Sequence, residues 1–296
     1  MPHLPNLSQP SATPVGKRIH SIVTWLMGLG LLAYVAVVAG LYFFQESLLF
    51  KPVVIPANQP LAALKTQADA NGGGVREFTV PVPGATLSGL HLSVPNPKGV
   101  VFFLHGNGGN LDEWFVNTAL YRQNNMDLVM IDYRGFGKST GQIESEAQLR
   151  SDVRAAYDFI APQYVGKKLV IYGRSLGTGL AAGLAADLYK EHTIVDMTVL
   201  VSPYSSLRAL TMSIYPYVPQ VVLRYPLRTD ELLPLVKSPV LLIHGDSDML
   251  IPASHSKTLK ALVPQARLLL VKGAGHGDIH TFDAYLQDFG GVLAGL

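Results

Sequence analysis

Leu169-Val170-Ile171-Tyr172-Gly173-Arg174-Ser175-Leu176-Gly177 joins an apolar run of the kind that forms a buried strand to G-x-S-x-G, and the helical stretch Leu180 to Tyr189 follows. A strand that turns abruptly into a helix strains the central residue and crowds its neighbours, so side chains at the two glycine positions would clash. The same turn lifts a serine hydroxyl off the sheet edge. It also sets that hydroxyl at a helix N-terminus, where backbone N–H groups face developing negative charge.

The motif gains weight from what surrounds it. Val240 to Ile243 reads as a second buried strand and runs into His244-Gly245-Asp246-Ser247-Asp248, with Ile251-Pro252 closing the loop. Arg267 to Val271 reads as a third, followed by Gly273-Ala274-Gly275-His276-Gly277. Serine, acid and histidine thus follow in order on loops after successive strands, at the edge where a parallel sheet binds ligands. A serine hydroxyl is a weak nucleophile until a neutral imidazole takes its proton, and the imidazole needs a carboxylate to fix its tautomer. Upstream, Val100 to Leu104 ends in His105-Gly106-Asn107-Gly108-Gly109-Asn110. That loop offers an oxyanion donor, which we assign to the Asn107 N–H, and the second donor is the N–H of Leu176.

These segments, with Asp132-Tyr133-Arg134-Gly135-Phe136-Gly137-Lys138-Ser139, make the chain resemble the α/β-hydrolases over roughly residues 75 to 296. More narrowly, it resembles the membrane-anchored α/β-hydrolase domain-containing branch, serine hydrolases and deacylases with S9/S33-peptidase-like members. The resemblance implies an α/β-hydrolase fold, a mostly parallel sheet with helices on both faces and a short cap. It implies acyl transfer to water and places the acid at Asp248. The site residues are then Ser175, Asp248 and His276, with Asn107 and Leu176 as backbone donors. Substrate does not follow from fold.

Composition agrees. Of 296 residues, 48% are hydrophobic and 15% charged, enough apolar material for a large core. A net charge of +2 without a basic run gives no reason to expect nucleic acid as a partner. There are no cysteines, which excludes disulfides, thiol catalysis and cysteine-held metals. Gly137-Lys138-Ser139 lacks the earlier glycine of a phosphate loop, since Asp132 stands there, and Thr140 replaces the third glycine of a dinucleotide fingerprint. No cofactor is expected.

Ile22 to Phe44 contains no charge and is long enough to cross a hydrocarbon core of about 30 Å. A signal-peptide core is shorter, about 7 to 15 residues, so the segment reads as an uncleaved transmembrane anchor. Trp25 and Tyr42 suit the two interfaces. Lys17 and Arg18 precede the span while Glu46 and Lys51 follow it, which predicts a cytoplasmic N-terminus and a catalytic domain on the far, periplasmic or extracytoplasmic, side. Residues 1–21 read as a disordered tail and 45–74 as a linker punctuated by Pro52, Pro56 and Pro60, with Asn71 to Gly74 a flexible turn.

Within 75–296, Glu77–Val82 and Leu87–Val94 read as an opening antiparallel pair, Leu111–Arg122 as a helix, and Leu128–Asp132 as a strand. A helix follows from Ser145, capped by Ser145 and Gln148, to about Tyr164, and Met197–Val201 is the next strand. Residues 202–238 form a Tyr-, Pro- and Leu-rich cap suited either to line an acyl pocket or to pack on the core. Asp246 and Asp278 compete with Asp248 for the role of acid, while His105 and His244 read as spacers of loop backbone. Asp132 and Arg134 read as a local salt bridge. The function expected is a membrane-anchored serine hydrolase acting on ester or thioester bonds of a small-molecule or lipid-like acyl substrate. The alternatives are a serine peptidase or aminopeptidase and a catalytically silent, membrane-tethered binding module.

Overall fold

The structure, a computed structural model, describes residues 14–65 and 73–296. The chain falls into two units, Met1–Gln45 and Glu46–Leu296. The first is carried by α1 (Pro14–Phe43), whose segment Arg18–Phe43 is a candidate membrane span with mean hydropathy 2.2. The helix begins at Pro14, so residues 14–21 are helical and not part of a disordered tail. Residues 1–13 and the turn residues Asn71 and Gly72 lie outside the described residues.

A short helix, α2 (Gln45–Leu49), leads into β1 (Lys51–Pro52), which pairs in parallel with β5 (Gly108–Gly109). The main sheet contains β2 (Gly74–Val82), β3 (Ala85–Ser93), β4 (Gly99–Leu104), β6 (Met126–Ile131), β7 (Lys168–Arg174), β8 (Met197–Val201), β9 (Val240–Gly245) and β10 (Arg267–Val271). Its order is β10-β9-β8-β7-β4-β6-β3-β2, and only the β2–β3 and β3–β6 pairings are antiparallel. Register aligns the strand ends: Leu104 lies beside Gly173, Arg174 beside Val201, and Val201 beside Ile243. Every loop that carries a candidate site residue therefore leaves the sheet at one edge.

Alternation along the strands feeds two cores. Val100, Phe102, Leu104, Ile171 and Leu242 face one side, while Val101, Phe103, Val170, Tyr172 and Ile243 face the other. The first side is covered by α5 (Glu146–Ile160), α6 (Gly177–Lys190) and α9 (Ser254–Leu262) through residues such as Val153, Leu180 and Leu259. On the second side, α3 (Leu111–Trp114), α4 (Thr118–Gln123) and α10 (Asp283–Gly295) bring Leu111, Tyr121 and Phe289.

Two sequence expectations change here. The helix expected over Leu111–Arg122 is broken into α3 and α4, because Asn117 adopts a left-handed backbone (φ 56°) and donates through Nδ2 to His280 O at 3.0 Å. The described part of the expected linker is built into the second unit, with Phe50, Ile55 and Leu61 buried in the two cores. The cap holds α7 (Leu207–Ile214) and α8 (Thr229–Leu232). Its tyrosines divide: Tyr204 and Tyr225 are buried, whereas Tyr215 and Tyr217 are exposed.

Candidate active site

Ser175 closes β7 with a left-handed backbone, φ 53°, which a non-glycine residue holds only where its surroundings enforce it. Its N–H donates to Val201 O at 2.9 Å, and its carbonyl accepts from Thr178 Oγ1 at 2.6 Å. A Cβ at Gly173 would overlap the Gly177 carbonyl, and one at Gly177 would overlap the Leu104 carbonyl. Both positions therefore require glycine. The turn delivers Ser175 to the start of α6.

The hydroxyl of Ser175 faces His276 Nε2 at 2.9 Å, and His276 Nδ1 meets Asp248 Oδ2 at 2.7 Å. With Nδ1–H donating to the carboxylate, Nε2 is left to accept the serine proton. Asp248 is buried, and its Oδ1 accepts from the N–H groups of Ile251 (2.8 Å) and Leu250 (3.0 Å). Burial pushes its pKa up. Hydrogen bonds from His244, His276 and the Ile251 N–H outweigh that and hold the carboxyl well below the usual carboxylate range.

The competing acids are engaged elsewhere. Asp246 accepts from the Gly273 N–H at 2.7 Å and Asp278 from the Gly275 N–H at 2.8 Å, so each shapes a turn. His244 is buried beneath Asp248; its Nε2–H donates to Ile251 O at 2.7 Å while Nδ1 accepts from Ser256 at 2.6 Å. His105 donates from Nδ1 to Gly106 O at 2.7 Å and approaches Asp132 Oδ1 at 3.5 Å through Nε2. Asp132 therefore faces His105, not Arg134, whose guanidinium forks onto Asp152 of α5. The salt bridge expected between Asp132 and Arg134 is replaced by two separate pairs, because Arg134 meets a carboxylate supplied by a helix distant in sequence.

The loop after β4 lies against Ser175: a Cβ at Gly106 would stand 3.5 Å from Ser175 Cβ. Among the described residues, neither the Asn107 N–H nor the Leu176 N–H donates to a backbone carbonyl. Both amides are thus left for another acceptor.

Arg174, beside Ser175, is the residue that pattern reading overlooks. It is buried, and its Nη2 donates to the carbonyls of Gly277 (3.0 Å) and His276 (3.2 Å). Its guanidinium also lies 5.2 Å from the Trp114 ring centroid, while Trp114 Nε1 donates to Gly108 O at 2.7 Å. One side chain thereby links the loop of His276 to the loop of Asn107. A cation between Gly173 and Ser175, at the end of an apolar strand, is the sequence signal for it.

A cavity of about 680 Å³ opens between residues 46–52 and 134–144, floored by Phe50, Phe136 and Ile143. Arg224 is its only lining residue from the cap, so the cap does not form this cavity's apolar wall.

Similarity to known proteins fits this geometry. Residues 95–228 match the family described as serine aminopeptidase, S33. The chain is 28% identical over 214 residues to Protein bem46 of Schizosaccharomyces pombe, covering 69% of this chain and 70% of that one. It is 31% identical over 186 residues to the lysophosphatidylserine lipase ABHD12 of Danio rerio, covering 57% of this chain and 48% of that protein. Among solved structures, an α/β-hydrolase from Vibrio vulnificus superposes with a TM-score of 0.63 at 21% identity, over 75% of this chain and 81% of that one.

Proposed function

Because the chain belongs to the α/β-hydrolase superfamily, on its S33-like side, we propose that it is a serine hydrolase that cleaves ester or thioester bonds of lipophilic acyl substrates. The observation that carries this reading is the series Ser175–His276–Asp248, hydrogen-bonded at 2.9 and 2.7 Å. Ser175 Oγ attacks the acyl carbonyl while His276 Nε2 takes its proton. The tetrahedral oxyanion is received by the free N–H groups of Leu176 and Asn107, at the positive end of α6. His276 then passes the proton to the leaving oxygen or sulfur, and the acyl-enzyme forms. Water, deprotonated by His276, releases the acid. Asp248 holds the tautomer and stabilises the imidazolium.

Fluorophosphonate labelling of the detergent-extracted protein tests this. Adduct formation on Ser175, lost in His276→Ala, is the expected result. A folded protein that is unlabelled, or labelled elsewhere, overturns the reading and favours a silent binding module.

Ester specificity is supported by the relative named as a lipase. The family's description as a serine aminopeptidase supports a second reading, cleavage of peptide bonds by the same residues. A panel of acyl esters and thioesters set against aminoacyl amides separates the two, since only a peptidase would prefer the amides. The candidate span Arg18–Phe43 supports anchoring in a membrane, with Arg18 at its start and Glu46 beyond its end. The proposed orientation, N-terminus cytoplasmic, predicts that a reporter fused to Leu296 is active only on the far side; a cytoplasmic signal reverses it.

A further inference from the structure

The chain that follows the apolar helix is hydrogen-bonded to the loop that holds Asn107. Lys51 N–H donates to Asn107 O at 2.7 Å and Val53 N–H to Gly109 O at 3.0 Å. In return, the Asn107 side-chain amide donates to Leu49 O at 2.9 Å, and that of Asn110 to Val53 O at 3.1 Å. The strand continues onto a second loop: Ile55 N–H donates to Gly137 O at 2.8 Å, and Gly137 N–H to Val53 O at 3.1 Å. Asn107 is thus gripped through both its carbonyl and its carboxamide nitrogen, while its N–H makes no backbone hydrogen bond among the described residues.

The sequence suits this pairing. In a parallel strand, alternate residues turn their amides to one neighbour. Lys51, Val53 and Ile55 are the donors, and Pro52, which has no N–H, falls between them where no donor is needed. Phe50 and Ile55 pin the strand by burying their side chains in opposite cores. The glycines of the loop cannot hold its shape unaided: Gly106, Gly108 and Gly109 have wide backbone freedom, and Gly109 sits at φ 77°.

We propose that Leu49–Ile55 is a brace for the oxyanion loop, a positioning element whose amides fix the direction of the Asn107 N–H. It rests on the reading of Asn107 as an oxyanion donor. An oxyanion donor acts only when it is fixed before charge develops, and removing one costs on the order of 10²–10³ in kcat. Displacement by about 1 Å has a comparable effect. The brace therefore contributes to kcat more than to substrate binding. It makes residues otherwise read as a linker part of the catalytic apparatus.

The test compares Val53→Pro with Val53→Ala in the full chain. Both lose the same side chain, and only proline loses the N–H donated to Gly109. On a p-nitrophenyl ester, kcat of the proline variant is expected to fall about 100-fold below that of the alanine variant, with KM within about threefold, in line with loss of oxyanion placement. Equal kcat values, or a loss confined to KM, overturn the brace. If the proline variant fails to fold, hydrogen exchange of the wild-type amides of Lys51 and Val53 decides. Protection matching that of β4 upholds the brace, and exchange at the rate of open chain overturns it. If the wild-type protein hydrolyses no ester and takes no fluorophosphonate at Ser175, the serine-hydrolase reading itself has failed. That outcome is distinct from an active wild type whose Val53→Pro variant is equally active.

Discussion

Asp248 with His276 and Asp127 with His91 are built alike at opposite ends of one sheet. In each pair a backbone N–H fixes the carboxylate's Oδ1, from Ile251 at 2.8 Å in the first and Val94 at 2.8 Å in the second. In each the imidazole meets Oδ2, at 2.7 and 2.9 Å. The second ring nitrogen differs. His276 Nε2 faces the Ser175 hydroxyl, whereas His91 Nδ1 faces the Arg76 guanidinium at 2.9 Å, and Tyr164 donates to Asp127 at 2.6 Å. A guanidinium can only donate, so His91 Nδ1 must accept, and a proton arriving there would meet a cation. The carboxylate–imidazole pair is therefore a device for fixing a tautomer. Proton transfer needs a hydroxyl on the distal nitrogen, and only one end of the sheet supplies it.

That contrast can be broken in graded ways. Ser175→Ala removes the hydroxyl and is expected to lower ester turnover by about 10⁴-fold or more, with an unchanged melting temperature. Wild-type turnover would erase the distinction between the two pairs. Asp248→Asn should cost on the order of 10³–10⁴ in kcat by releasing the wrong tautomer of His276. Arg174→Gln should lower kcat about tenfold with KM little changed, because the carbonyls of His276 and Gly277 lose their shared donor. A loss only of melting temperature would make Arg174 a packing residue.

At the other pair the sign of the outcome changes. Asp127→Ala should destabilise the fold by about 3 kcal/mol, the cost of leaving buried partners unmatched, while kcat per folded molecule stays put. A fall in kcat there would show the two ends to be coupled. The smallest effect concerns pH. The Asp248 carboxyl titrates lower in the fold than in the unfolded chain, so its stabilisation is complete above the unfolded pKa of about 3.9 and is lost as pH falls toward the folded value. The melting-temperature difference between wild type and Asp248→Asn should hold steady from pH 7 to about pH 5 and shrink below about pH 4. A difference that first shrinks near neutrality would place the dominant titration elsewhere.

Much of the architecture is legible in the chain because its signals are local. Apolar runs such as Val100–Leu104 and Val240–Ile243 declare buried strands, and glycines around Ser175 declare the turn. The three side chains could be nominated because each lies on the turn or loop that follows a strand, and a parallel sheet gathers such loops at one edge. What stayed hidden is long-range. Nothing near Arg134 announces Asp152, and nothing near Asp127 announces His91 or Tyr164. The break at Asn117 depends on His280, a partner far along the chain. Residues 51–55 carry Pro52 and no periodicity, so they read as linker; their order comes from loops that they meet only after folding. The cap tyrosines look alike in sequence, yet burial separates Tyr204 and Tyr225 from Tyr215 and Tyr217.

The short ladder between Lys51–Ile55 and the loops beyond β4 and β6 has a consequence for where this chain can be cut. Covalent continuity presents the strand to its groove at an effective concentration on the order of millimolar. A nick between Pro56 and Gly73 would leave the main sheet whole but turn the strand into an exchangeable peptide, whose occupancy then falls with dilution. A form of the protein begun at Gly74 would be a sheet with an empty groove, and a synthetic peptide spanning residues 46–65, which also carries the buried Leu61, would be its missing subunit.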